Sequence, residues 1–216
     1  MEFDLQSIAA VLQSGGATVY PLLGLAVIAA VIVLEKAFVF WRRARLPRPL
    51  VDLVETYDFD WADLDRHLKR LDRRNYFRGF AHSILENRSH PAWWVESRAA
   101  DEASQIEKAL ARWLWVLETI VTAAPLLGLL GTITGMIRAF RLFGNQGLVD
   151  PGGVTGGVAE ALIATALGLF VALIALFAFN YFSQRQAQAM DEMERLGTRL
   201  VDHVRLDARA AGDETA

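Results

Sequence analysis

The chain has 216 residues, a formal net charge of −3, 53% hydrophobic residues and no cysteine. The last point excludes disulfide frameworks, thiol catalysis and thiolate metal sites, and no basic run is long enough to indicate nucleic-acid binding. The apolar residues are gathered into three blocks instead of being spread along the chain, which argues against a single soluble globule.

In chain order, residues 1–18 carry no Lys or Arg, and Glu2, Asp4 and Gln6 stand where a cleaved signal would carry basic residues. The first apolar block, 19–41, therefore reads as a retained anchor. It has the ~20 apolar residues that a helix needs to cross a bilayer core of about 30 Å. Arg42, Arg43, Arg45 and Arg48 follow directly, which places that flank in the cytoplasm and residues 1–18 outside.

Residues 42–116 are read as a cytoplasmic helical domain. The charges of "DLDRHLKRLDRRNYFRGF" from Asp63 form a solvated face. In "WVESRAADEASQIEKALARWLWVLE" from Trp94 there is no Gly or Pro, so one helix is expected to run unbroken into the second span, 117–141.

The loop 142–156 has no Lys or Arg and is placed outside. The third span covers 157–182 and is followed by Arg185. Beyond it, 183–216 is a cytoplasmic helix and tail, with Ala187, Met190, Met193, Leu196, Leu200 and Val204 near one side. The end, "ARAAGDETA" from Ala208, reads as disordered. The predicted fold is an all-α membrane protein: three transmembrane helices, two of them extended into a cytoplasmic helical bundle.

The second span carries a stripe of small residues: Gly128, Gly131, Thr132, Gly135 and Ala139 recur at helical spacing. The third repeats the device with Gly157, Ala161, Ala164, Thr165, Gly168, Ala172 and Ala175. Two readings stand. Such stripes let helix backbones pack closely, or they present a smooth, hydroxyl-bearing wall to another helix. Counting ~1.5 Å per residue, Thr132 lies ~8 Å and Thr165 ~12 Å from the outer face, which sets the two hydroxyls nearly level. Pro125 lacks an N–H, so it leaves the carbonyl of Val121 open.

Ionisable groups in spans are costly and point to function. Glu35, Lys36 and Glu118 lie near the cytoplasmic boundary, where snorkelling gives them a structural or interfacial role. Arg138 and Glu160 reach similar heights at the outer end, and two readings stand: they form an ion pair there, or both point to the headgroups. Neither stripe contains a group that titrates near neutral pH. A proton path along these spans therefore needs an acid from another chain, with the small-residue faces forming a sleeve around it.

The stretches "LQSGGATVYPLLGLAVIAAVIVLEKAFVFW" from Leu12, "APLLGLLGTITGM" from Ala124 and "GGVAEALIATALGLFVAL" from Gly156 resemble the proton-channel family of ExbB, TolQ and MotA, and within it ExbB most. The resemblance covers nearly the whole chain in order. It implies a bacterial inner-membrane protein forming a homopentamer. Its second and third spans would surround the helices of an ExbD- or TolR-like single-span partner that supplies a membrane aspartate. Proton flow would drive work in the periplasm or at the outer membrane, such as TonB-dependent transport with a TonB-like protein.

By this resemblance the pore threonines are Thr132, in "GT", and Thr165, in "ATALGL", with Glu160 as the third-span glutamate. Gly128, Gly135 and Gly168 line the pore beside them. Lys36 stands where many members have Arg, and Arg138 and Arg141 make the outer end of the second span unusually basic. A TolQ-like envelope motor and a non-conducting membrane scaffold remain alternatives. A MotA-type stator fits less well, because it has four spans. No phosphate loop or serine elbow is present, and His67, His82, His90 and His203 lack metal-ligand spacing. Accordingly no enzyme activity, metal or cofactor is expected.

Overall fold

Long apolar runs of helix formers satisfy every backbone group internally, so all three blocks fold as helices. The computed structural model describes residues 16–46, 48–56, 59–141 and 151–213. Residues 1–15 of the N-terminal segment, 142–150 of the loop and 214–216 of the tail lie outside the described residues. In chain order the helices are α1 (Val19–Arg42), α2 (Arg48–Glu55), α3 (Trp61–Arg70), α4 (Tyr76–Asn87), α5 (Ala92–Ala111), α6 (Leu114–Arg141) and α7 (Pro151–Asp213). No strand occurs among the described residues, and three of the helical segments are long and apolar enough to cross a membrane.

The chain divides into two units. The first joins residues up to Leu34 with Trp113–Tyr181. Here Val19, Leu22, Ala29 and Ile32 of α1 are buried, as are Gly128, Gly131, Gly135 and Ala139 of α6 and Ala161, Ala164, Ala172 and Ala175 of α7. Large apolar side chains such as Leu126, Ile133, Phe140, Phe170, Leu173 and Phe177 stay exposed. In water so large an apolar surface would drive association; facing lipid or neighbouring spans it is in place.

The second unit joins Glu35–Arg112 with the chain from Phe182 onward. Leu64 and Leu68 of α3, Phe77, Phe80 and Ile84 of α4, Val95 and Leu110 of α5, and Met193, Leu200 and Val204 of α7 share one hydrophobic core. The α7 face differs from the expected one by one position: Ala187 is exposed and Ala189 is buried. Gly197 packs against the Phe80 ring, where a Cβ would sit 2.9 Å from its edge. Asp60 caps α3 by accepting from Ala62 N–H, and Asn75 caps α4 by accepting from Arg78 N–H.

Three expectations change. The helix from Trp94 is broken: α5 stops at Ala111, Arg112 turns extended, and Trp113 takes φ 68° before α6 begins. Next, α7 starts at Pro151, six residues before the expected span, because proline is well suited to the first helical position. Finally, α7 continues to Asp213, so 208–213 is helical and not disordered; at 63 residues the helix is ~95 Å long.

Candidate functional site in the second and third spans

The two small-residue stripes face each other within one chain. A Cβ built on Gly128 would stand 3.1 Å from the Ala164 carbonyl oxygen and from the Thr165 Cα, and one on Gly168 would stand 2.6 Å from the Ala124 carbonyl oxygen. Further along, Gly135 meets Ala161 and Gly157, and Gly157 meets Ala139. The result is an antiparallel glycine and alanine seam in which backbone lies on backbone. Gly128, Gly135 and Gly168, expected to line a pore, are occupied at this seam. What they offer any partner is the rigidity of a paired helix surface, not an open smooth face.

The two threonines behave differently. Thr165 Oγ1 donates to the Gly128 carbonyl oxygen across the seam at 3.0 Å, whereas Thr132 Oγ1 donates within its own helix to Leu129 at 2.6 Å. Each hydroxyl keeps acceptor lone pairs after donating. Both residues are partly exposed, so those lone pairs are open to an approaching donor. Their heights are staggered, since Thr165 stands level with Gly128, four residues or ~6 Å along α6 from Thr132.

At one end of the seam, Arg138 Nη1 lies 2.6 Å from Glu160 Oε1, with the carboxylate 19% exposed and the arginine 50%. The structure thus brings these two side chains together. The α1 approach closes over them. Gly16 has φ 68°, and a Cβ there would overlap the Glu160 carboxylate at 1.6 Å. The positive φ favours glycine, and a side chain there would also displace the Glu160 carboxylate. Thr18 packs in the space left by Gly131. The glycine pair before Thr18 was the sequence signal for this approach, but nothing local indicated its target.

A second element escaped the sequence reading. Lys36 does not snorkel: it is fully buried, and Nζ donates to the Leu110 carbonyl oxygen at 2.7 Å. Leu110 stands one residue before the end of α5, and the break carries the chain off the helical path before Leu114, whose N–H would complete the ladder. Lys36 therefore caps α5, placing a cation at the negative end of a helix dipole. Glu35, 4.0 Å away, is its nearest anion. Among the histidines, His203 is half-buried; it stacks on Phe59 with centroids 4.1 Å apart and its Nε2 lies 3.1 Å from the Val54 carbonyl oxygen.

A helical protein with three membrane-length spans, two of them joined by a small-residue seam bearing hydroxyls, is a multi-pass membrane protein. Residues 68–195 match the model of the MotA/TolQ/ExbB proton channel family, and the chain belongs to that family. Among similar proteins, the ExbB-like 3 biopolymer transport protein of Synechocystis sp. is 34% identical over 176 residues, 79% of this chain and 82% of its own. ExbB-like 1 of the same organism is 33% identical over 192 residues, 86% of this chain and 74% of its own. The biopolymer transport protein ExbB of Aquifex aeolicus is 34% identical over 93 residues, 43% of this chain and 63% of its own.

Proposed function

We propose that the chain is the ExbB-like subunit of a motor driven by the proton-motive force in a bacterial inner membrane. Five copies form a sleeve around the helices of an ExbD- or TolR-like partner, with the N-terminus periplasmic and the bundle of the second unit cytoplasmic. The observation that carries this reading is that hydroxyls are the only protic side chains at mid-span on α6 and α7. Between Val121 and Ile137, and between Ala161 and Phe182, no Asp, Glu, His or Lys occurs. The chain can offer hydrogen-bond acceptors to a proton carrier but cannot itself hold the proton.

In this reading the partner's carboxylic acid donates to the free lone pairs of Thr165 and Thr132, directly or through water, and is deprotonated on the other side of the path. The hydroxyl of Thr165 is held in orientation by the Gly128 carbonyl. Arg138 and Glu160 form a neutralised pair at the periplasmic end that tunes entry without carrying the proton. The work is delivered to the periplasm or outer membrane.

The test is the native mass of the complex extracted in mild detergent from its own host. Five copies with a co-purifying single-span chain bearing a membrane aspartate support the motor. An oligomer with no acid-bearing partner would refute it and favour a scaffold.

A further inference from the structure

The end of α1 carries a built cationic cavity that the proton path does not use. Arg43 N–H and Ala44 N–H both bond the Val39 carbonyl, closing the helix. The chain just beyond is then tied to the turn between α3 and α4. Tyr76 N–H donates to the Arg43 carbonyl at 2.9 Å, and Asn75 Nδ2, on a buried side chain, donates to the Arg45 carbonyl at 3.0 Å. That turn is itself fixed, since Asp72 Oδ1 accepts from Arg74 N–H at 3.0 Å and the Asp72 carbonyl from Asn75 N–H at 2.9 Å. Two elements far apart in sequence thus hold their arginines in one place.

Phe38, Arg42, Arg43, Asp72 and Arg74 line a cavity of about 280 Å³. Arg42 Nε is 3.7 Å from Asp72, which engages one of the three guanidinium groups with the one carboxylate. The lining keeps a formal charge of +2. The guanidinium groups of Arg42 and Arg43 lie 5.9 and 6.0 Å from the Phe38 ring centre. Arg43 Nε is buried and has no acceptor among the described residues. A helix C-terminus attracts arginines unaided. It does not account for Arg74, brought in from another element, or for a buried donor facing no acceptor.

Depth identifies the ligand chemistry. Counted from Val19, the 24 residues of α1 rise ~36 Å, so Arg42 and Arg43 lie just past a hydrocarbon core of about 30 Å. Trp41 beside them is 77% exposed, as an interfacial anchor is, and Phe38 below is half-exposed on the apolar side. We propose that this cavity binds an anionic phosphate group at headgroup depth, with Arg43 and Arg74 as its donors and Asp72 holding Arg42 in place. Arginine forks suit phosphate oxygens through paired N–H donors. The position favours a membrane phospholipid over a soluble phosphate.

The experiment uses the full-length complex in mild detergent, stripped of lipid and titrated with phosphatidylglycerol or phosphatidylcholine, with bound lipids counted by native mass spectrometry. Phosphatidylglycerol is expected to bind the wild type more tightly than phosphatidylcholine. Each arginine near an anionic surface contributes a factor of roughly five, so Arg74→Gln weakens phosphatidylglycerol about fivefold and Arg43→Gln with Arg74→Gln about 25-fold. Phosphatidylcholine binding and Arg199→Gln serve as unchanged controls. Arg74 is exposed, so its variant folds even where the double variant fails, and it then decides alone.

Millimolar inorganic phosphate that leaves the lipid bound assigns the site to the headgroup. Phosphate that displaces the lipid, with loss of that effect in Arg74→Gln, assigns it to a soluble phosphate. Equal affinity of the wild type for both lipids with no effect of phosphate, or full phosphatidylglycerol affinity in a folded Arg74→Gln, would overturn the proposal.

Discussion

Replacing Gly168 by alanine tests the seam at its tightest point. The new Cβ would meet the Ala124 carbonyl oxygen at 2.6 Å, Gly128 Cα at 3.0 Å and Gly128 N at 3.2 Å, all backbone atoms that no rotamer change can move. Reaching an ordinary contact of 3.4 Å requires α6 and α7 to separate locally by about 0.8 Å. Overpacking of this kind costs about 1–3 kcal/mol. The same displacement stretches the 3.0 Å bond from Thr165 to Gly128 beyond hydrogen-bonding distance, a further ~0.6 kcal/mol. Alanine's helix propensity returns about 1 kcal/mol, leaving a net loss of roughly 0.6–2.6 kcal/mol. Gly24→Ala is the matched control: its Cβ meets nothing within 4 Å, so only the propensity gain applies and the variant is expected to be at least as stable as wild type. The assay is thermal unfolding in detergent followed by far-ultraviolet circular dichroism. A Gly168→Ala protein as stable as Gly24→Ala would refute the seam.

Four other outcomes follow from the same structure. Thr165→Val removes one interhelical bond and nothing else from the seam, so it should lower stability by under about 1 kcal/mol. Proton-driven work should be abolished with the oligomer intact, and normal work in that variant would exclude the threonine from the path. Glu160→Gln should reduce the rate while keeping its pH dependence, measured as proton flux in vesicles, because on the proposed function its pair with Arg138 stands at the mouth and does not carry the proton. Lys36→Met leaves the Leu110 carbonyl without its donor and should cost about 1.5–3 kcal/mol in a melt. Asp72 is held below the usual carboxylate range first by the Arg74 N–H, against desolvation, and then by the Arg42 and Arg74 charges. Its folded pKa lies below the unfolded value. The stabilisation is therefore complete above about pH 4 and is lost as pH falls through the folded pKa, so melts at pH 5 and 7 should show no difference between wild type and Asp72→Asn in their pH response.

The three spans were legible because apolar length alone decides them, and the stripe residues because helical spacing does. What periodicity does not encode is the occupant of a stripe. Gly128 and Gly168 have the same spacing whether they face a partner helix or each other, and the answer came from the Ala124 carbonyl lying against Gly168. The break after α5 was hidden for a different reason. "ALARWLW" contains no Gly or Pro, yet Trp113 adopts φ 68°, a conformation that local propensity disfavours and only surrounding structure sustains. Lys36 is the counterpart of that break, since a carbonyl freed 74 residues away is what makes its burial tolerable. A window read along the sequence meets the lysine and the break separately, and so assigns the lysine to snorkelling.

The seam also changes how the proposed motor handles a proton. Were the glycines facing a partner, each span could shift independently as that partner turned. With Gly128, Gly135, Gly157 and Gly168 in backbone contact, α6 and α7 form one surface whose interior has no slack for a methyl group. A partner acid then approaches a fixed pair of hydroxyls staggered by one helical turn, Thr165 locked by Gly128 and Thr132 by Leu129. Fixed dipoles stabilise a passing charge best when they need no reorganisation as it moves by. On the proposed function, movement belongs to the partner, and the role of the small residues is to keep the hydroxyls still.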